Sequence, residues 1–194
     1  MLRVQVIPDY SLLYTEYPDT MDSEDGEQFF MESADPEGVM RVIVDVSDEA
    51  EKCAYLILHL FNDGYDEESG LSLADSINAD LLDAMYSVIN CRDYTRPKPG
   101  ITWSGYIETM HVFPKFRKKG IASFILSCLK EIICKGTGGI SLGCLAVGEA
   151  SFGKQGYGDT VPDISGFCEK NGFRKCRDAG HWIKDYSTGL SLVK

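Results

Sequence analysis

The stretch GYIETMHVFPKFRKKGIASFILSCLKEIICKG, residues 105–136, narrows what this chain can fold into more than any other. GYIETMHVF (105–113) reads as a strand, and it stops at Pro114, which has no N–H to give a ladder. Four cations follow (Lys115, Arg117, Lys118, Lys119), then Gly120. Beyond the glycine, Ile121, Phe124, Ile125, Cys128, Leu129, Ile132 and Ile133 recur at i, i+3, i+4, the stripe of an amphipathic helix, and Gly136 offers a C-terminal stop. The cations therefore sit between a strand and the N-terminus of a helix.

The rest of the chain supplies further strands and helices. LRVQVIP (2–8) alternates as a strand and stops at Pro8. VMRVIVDV (39–46) and CAYLILHLF (53–61), joined by Ser47-Asp48-Glu49-Ala50, predict a hairpin. In 71–89, Leu73, Ile77, Leu81, Leu82, Met85 and Ile89 predict one helix. ISLGCLAV (140–147) reads as a buried strand, DISGFCEKNGF (163–173) as a short helix ended by Asn171-Gly172, and Arg174–Arg177 and Trp182–Tyr186 as weak final strands. Residues 16–37 are acidic around a Phe29-Phe30-Met31 island and predict a loop or a short, poorly anchored helix. No internal repeat is visible, and 194 residues with 44% hydrophobic content suit one well-filled core, a single domain over 1–194.

Charge divides that domain. Residues 1–100 carry 22 Asp/Glu against 6 Lys/Arg, and residues 101–194 carry 8 against 13, so the halves stand at −16 and +5 within a net −11. An acidic surface repels phosphate backbones, which argues against nucleic acid as a partner and favours a cationic one. No run of 18 apolar residues and no basic-then-apolar N-terminus is present, so neither a membrane span nor a leader is expected, and the expected location is the cytoplasm. The seven cysteines form no C-x-x-C pair and are odd in number, which argues against a disulfide framework and for most of them as reduced thiols used as small core residues. His59, His111 and His181 lack ligand spacing, so no metal is expected.

The cations at the helix start have a chemical reading. The first N–H groups of a helix lack internal partners and lie at the positive end of its dipole, and Gly120 lets an anion approach without a side chain in the way. Flanking Lys and Arg add charge-assisted bonds. The turn therefore predicts a site for a phosphorylated ligand.

Two segments carry a resemblance. Val112-Phe113-Pro114-Lys115-Phe116-Arg117-Lys118-Lys119-Gly120-Ile121-Ala122 resembles the acyl-CoA signature of the GNAT N-acetyltransferase superfamily, Val-x-Pro-x-x-Arg followed by the pyrophosphate loop. Phe167-Cys168-Glu169-Lys170-Asn171-Gly172-Phe173 resembles the same family's Phe-Tyr-Glu-Lys-x-Gly-Phe segment. The likeness covers roughly 105–175 and leaves 1–104 as a divergent, acidic half. It implies a mixed α/β fold whose mostly antiparallel, twisted sheet splays between two central strands, with acetyl-CoA as co-substrate in the gap. Arg117, Lys118, Gly120, Ile121, Ala122 and Ser123 would surround the pyrophosphate, Met110 and Val112 would bond the pantetheine arm through their backbone, and Lys115 or Lys119 would reach the 3′-phosphate. Where the family has a tyrosine, the general acid for the leaving thiolate, this chain has Cys168. The helix at 71–89 has no counterpart in the family pattern.

Attack by an amine needs a base, because an alkylamine (pKa near ~10) is mostly protonated at neutral pH. The resemblance implies a catalytic or water-positioning carboxylate at Glu108, with a structural ion pair as the alternative; strand alternation puts Glu108 on the same face as Met110 and Val112 and His111 on the opposite face. Tyr157, in a glycine-rich loop, is a candidate to replace the missing tyrosine. GEASFGKQ (148–155) has the Gly-x-x-x-x-Gly-Lys skeleton of a nucleotide loop, but Gln155 stands where Ser or Thr would ligate magnesium, and Gly156, Gly158 and Pro162 oppose the helix the motif requires; the stretch reads instead as a loop on the acceptor side. The expectation is an acetyltransferase acting on a small-molecule or peptide amine. The alternative is a GNAT-fold module that binds acyl-CoA or a partner without turnover.

Overall fold

A computed structural model describes residues 2–9, 38–62, 67–91, 103–153, 163–176 and 180–186. The acidic 16–37 segment and Tyr157 lie outside the described residues. Strands β1 (Leu2–Asp9), β2 (Val39–Asp48) and β3 (Glu51–Asn62) come first, then helices α1 (Glu67–Ile77) and α2 (Ala79–Cys91). They are followed by β4 (Trp103–Val112), α3 (Ile121–Gly136), β5 (Leu142–Gly148), the short helices α4 (Ala150–Gly153) and α5 (Ser165–Lys170), β6 (Arg174–Lys175) and β7 (His181–Asp185). The strands form one mixed, open sheet in the order β1-β2-β3-β4-β5-β7-β6, antiparallel at every neighbouring pair except β4–β5. That parallel pair is joined by the crossover through α3, as parallel neighbours require.

Each face of the sheet buries its own apolar set. On one face Val42, Val44, Leu56, Leu58, Ile107 and Leu145 pack with Ile125, Leu129 and Ile133 of α3. On the other, Val39, Phe61, Tyr106, Ala146 and Ile183 pack with Ala74 of α1 and Leu81, Ala84 and Val88 of α2. The alternation of Val42, Val44 and Val46 with half-buried Arg41, Ile43 and Asp45 shows the pleat directing one set inward.

The strands and helices expected within the described residues are present, with one correction. The helix expected over 71–89 is two helices: Asn78 interrupts it, and its Oδ1 accepts the Leu81 N–H at 2.8 Å, the N-cap bond that starts α2. Gly136 is the last residue of α3 and is helical. A Cβ there would lie 2.3 Å from the Cβ of Val6, so the glycine is what lets β1 approach the end of α3. Cys53, Cys128, Cys134, Cys144 and Cys168 carry thiols, but Cys176 is disulfide-bonded, with its sulfur 3.9 Å from the Ser87 carbonyl oxygen on α2.

Candidate functional site

The site grows from a strand pairing that stops early. β4 and β5 pair only from Trp103–Leu142 to Ile107–Val147, and β4 runs on to Val112 paired with β3 alone. The stopping point is held by Ser151, a fully buried residue of α4. Its hydroxyl donates to the Ile107 carbonyl at 2.6 Å and accepts the Gly148 N–H at 3.2 Å. Two main-chain groups that would otherwise be left without partners at the apex of the gap are thereby satisfied. On its other side β4 carries a bulge. Ile57 pairs with Thr109 and Leu58 with Ile107, which leaves Glu108 without a cross-strand partner.

The bulge overturns the alternation expected for β4. Glu108 stays on the α1/α2 side, where its Oε2 lies 2.8 Å from His59 Nε2 and 4.0 Å from Arg41 Nε. Met110 joins the core on the α3 side. One inserted residue separates faces that a regular strand would have shared.

Beyond the apex, a cavity of about 540 Å³ opens beside the free part of β4. Met110 and Val112 line it, together with Arg117, Lys118, Gly120, Ile121, Ala122 and Ser123, so the residues assigned from the sequence to the pyrophosphate and the pantetheine arm meet there, whereas the two lysines offered for the 3′-phosphate do not. The Phe113 N–H donates to the Cys53 carbonyl of β3 at 3.0 Å, so the alternation of main-chain groups turns those of Val112 and Met110 toward the gap. The first helical bond of α3 runs from the Phe124 N–H to Gly120 O at 2.9 Å. The N–H groups of Ile121, Ala122 and Ser123 precede it and point out at the positive end of a 16-residue helix. Lys118 and Gly120 both have positive φ, 61° and 79°, and nothing lies within 4 Å of a Cβ built on Gly120. This concave backbone, beside two cations, suits a phosphate.

The four cations of the turn have different tasks. Arg117 and Lys118 line the cavity, and Arg117 Nε donates to the Val112 carbonyl at 2.9 Å. Lys115 and Lys119 do not line it. Lys115 pairs with Glu51 at 2.5 Å across the β2–β3 turn, and Lys119 lies over the Phe116 ring. The third cation of the cavity is Lys170, from α5 on the facing wall. Sequence reasoning missed it; its place in the second motif was the available signal.

The remaining candidates separate. His111, expected to face away, lines the cavity, because a strand with one free edge is open to the gap from both faces. Its ring stacks on Tyr55 at 5.3 Å, and burial together with the Arg117 charge holds its pKa below the usual histidine value. Cys168, expected as an acid in the site, does not line the cavity. It is fully buried in the core cluster that includes Ile164 and Phe173, and burial, aided by Glu149 and Glu169, pushes its thiol up to about 12. Phe152 and Phe167, edge to face at 5.5 Å, form the apolar wall in front of it. The segment read as a loop from 148 begins with α4, which brings in both Ser151 and Phe152.

No protein-family model matches this chain, and no curated protein matches it.

Proposed function

We propose that the chain is a GNAT-fold acyltransferase that moves an acetyl group from acetyl-CoA to a primary amine by direct attack in a ternary complex. The observation that carries this reading is the cavity at the end of the β4–β5 pairing. Its walls combine a strand edge able to bond an amide-bearing arm, an apolar lining, and a helix start with cations for phosphates. Residues chosen for those roles from the first motif converge there, and Phe167 and Lys170 of the second motif complete the lining. Arg117, Lys118 and the N–H groups of Ile121, Ala122 and Ser123 would hold the pyrophosphate, and Met110 and Val112 the pantetheine amides. Lys170 replaces Lys115 and Lys119 as the cation for a further phosphate.

The amine nitrogen attacks the thioester carbonyl carbon; the C–N bond forms, the C–S bond breaks, and the coenzyme leaves as its thiolate. One proton passes from the amine to a base on β4. Glu108, the first β4 residue beyond the last pair with β5, takes that role from the α1/α2 side of the strand, outside the cavity lining, and His111, which lines the cavity, is the other base on β4. A thiolate of pKa ~8.5 is a stable enough leaving group to depart without a protein acid, so buried Cys168 is not needed.

The alternative, a module that binds acyl-CoA without turnover, is favoured by one observation: the family's acid position holds a fully buried thiol. Titration calorimetry with acetyl-CoA and with ATP, followed by thiol release with spermine, an aminoglycoside and a lysine peptide, separates the readings. Acetyl-CoA binding with amine-dependent thiol release supports the enzyme, and binding without release supports the module. ATP binding with none of acetyl-CoA would sink both.

A further inference from the structure

The acyltransferase reading leaves a buried histidine unexplained. His59, on β3, is only 2% exposed, among leucines at 56, 58 and 60 that are fully buried on the opposite face of the same strand. Its Nε2 lies 2.8 Å from Glu108 Oε2, and its Nδ1 is buried without a hydrogen-bond partner. A carboxylate only accepts, so a neutral ring bonded to it carries its proton on Nε2 and leaves a bare lone pair on Nδ1. Burial favours that neutral form; the Glu108 charge opposes it and the Arg41 charge reinforces it. Glu108 from β4 and Arg41 from β2 are the ionic groups that act on the ring, with Tyr106 its cross-strand neighbour. An apolar side chain would fill this position with no orphaned nitrogen, so packing alone gives no reason for a histidine.

The bulge supplies the reason. It frees Glu108 from a regular pairing at the apex of the gap, and a side chain at such a position needs an external restraint. We propose that His59 is a positioning residue, whose Nε2–H fixes Oε2 of Glu108, with Arg41 as a weaker second restraint, so that Oε1 is presented to the attacking amine. Among the described residues nothing engages Oε1. The inference rests on the acyltransferase reading and deepens it, because it assigns Glu108 rather than His111 as the base.

The test compares His59→Leu, His59→Gln, Glu108→Gln and the double variant His59→Leu/Glu108→Gln, with acetyl-CoA and spermine as substrates. His59→Leu should lower kcat by up to about a hundredfold, as misplacement of a reacting group does, with the calorimetric Kd for acetyl-CoA unchanged. His59→Gln retains a side-chain N–H and should recover most of the rate. The double variant should be no slower than Glu108→Gln, since a residue acting only through Glu108 has nothing left to position. Nitrogen-15 spectra of the histidine rings should show His59 as the neutral Nε2–H tautomer at pH 7, with its Nε2–H signal displaced in Glu108→Gln. Wild-type kcat in a folded His59→Leu protein, additive losses in the double variant, or the Nδ1–H tautomer would each overturn the proposal while leaving the acyltransferase reading in place. Absence of any turnover by the wild type would remove both.

Discussion

A single substituted atom type in the second motif shows how much the surroundings decide a residue's chemistry. Cys168 occupies the place where the resembled family has its acid, yet it lies behind Phe167 and Phe152 in closed core. A thiol pushed up to about 12 stays protonated throughout the working range of an enzyme. Iodoacetamide should therefore modify exposed Cys134 in the native protein and spare Cys168, as peptide mapping would show. Cys168→Ala should leave turnover nearly unchanged. Cys168→Tyr, which would restore the family's residue, should instead cost about 1–3 kcal/mol through overpacking, visible as a lower midpoint in urea. At the mouth of the cavity, Lys118→Glu should weaken acetyl-CoA binding by about 1–3 kcal/mol through loss of a charge-assisted bond. Unaltered calorimetric affinity in a folded Lys118→Glu protein would move the ligand elsewhere. Gly120 is a poorer probe than Lys118: its φ of 79° makes any side chain strained, so folding and binding would change together.

Among the elements, β4 and the crossover helix define the site, and two small residues hold them in place. Ser151 terminates the β4–β5 pairing by taking the Ile107 carbonyl and the Gly148 N–H. Ser151→Ala would leave both without that partner in the interior, at a cost of about 1–3 kcal/mol. The same substitution should lower acetyl-CoA affinity by disordering the apex of the gap. A denaturant midpoint and a calorimetric Kd that both stay at wild-type values would show that the gap does not depend on Ser151. Gly136 performs a similar service where β1 meets α3. Gly136→Ala places a methyl group on Val6 and should cost about 1–3 kcal/mol; Val6→Ala should recover part of that loss in a double-variant melt, because the clash is with that side chain.

At the scale of the molecule, one sheet joins an acidic half to a basic one: β1, β2 and β3 come from the −16 half and the remaining strands from the +5 half. If the acidic half attracts a cationic acceptor, the apparent affinity for spermine at saturating acetyl-CoA should fall as salt shortens the Debye length from ~10 Å at 0.1 M to ~3 Å at 1 M. A salt-independent Michaelis constant would assign the acid to solubility. Stability should also depend on pH through the interior histidines. Burial lowers the folded-state pKa of both His59 and His181, so below the ordinary value near ~6.5 the unfolded chain binds protons that the native chain resists. Stability is therefore greatest above that value and is lost as pH falls through it. Urea midpoints should decline between pH 7.5 and 5, and less steeply in His59→Gln.

What the linear sequence determined is what depends on near neighbours. The period of Ile121 to Ile133 made α3, Pro114 and Gly120 bounded the turn, and the crowding of Arg117 and Lys118 against a helix start marked the turn proposed to hold an anion; each of these follows from a few adjacent residues. Tertiary structure decided whatever depends on how strands pair. The bulge at Glu108 is a mismatch between two strands, and it turned Glu108 toward His59, 49 positions away, and away from Met110. The apex of the gap is held by a serine hydroxyl 44 positions from the carbonyl it bonds, and Cys168 is buried in a core cluster drawn from β2, β3, β4, α3 and β5. Registers and contacts at such separations carry no local pattern, because the chain between the partners is free to vary as long as the sheet brings them together.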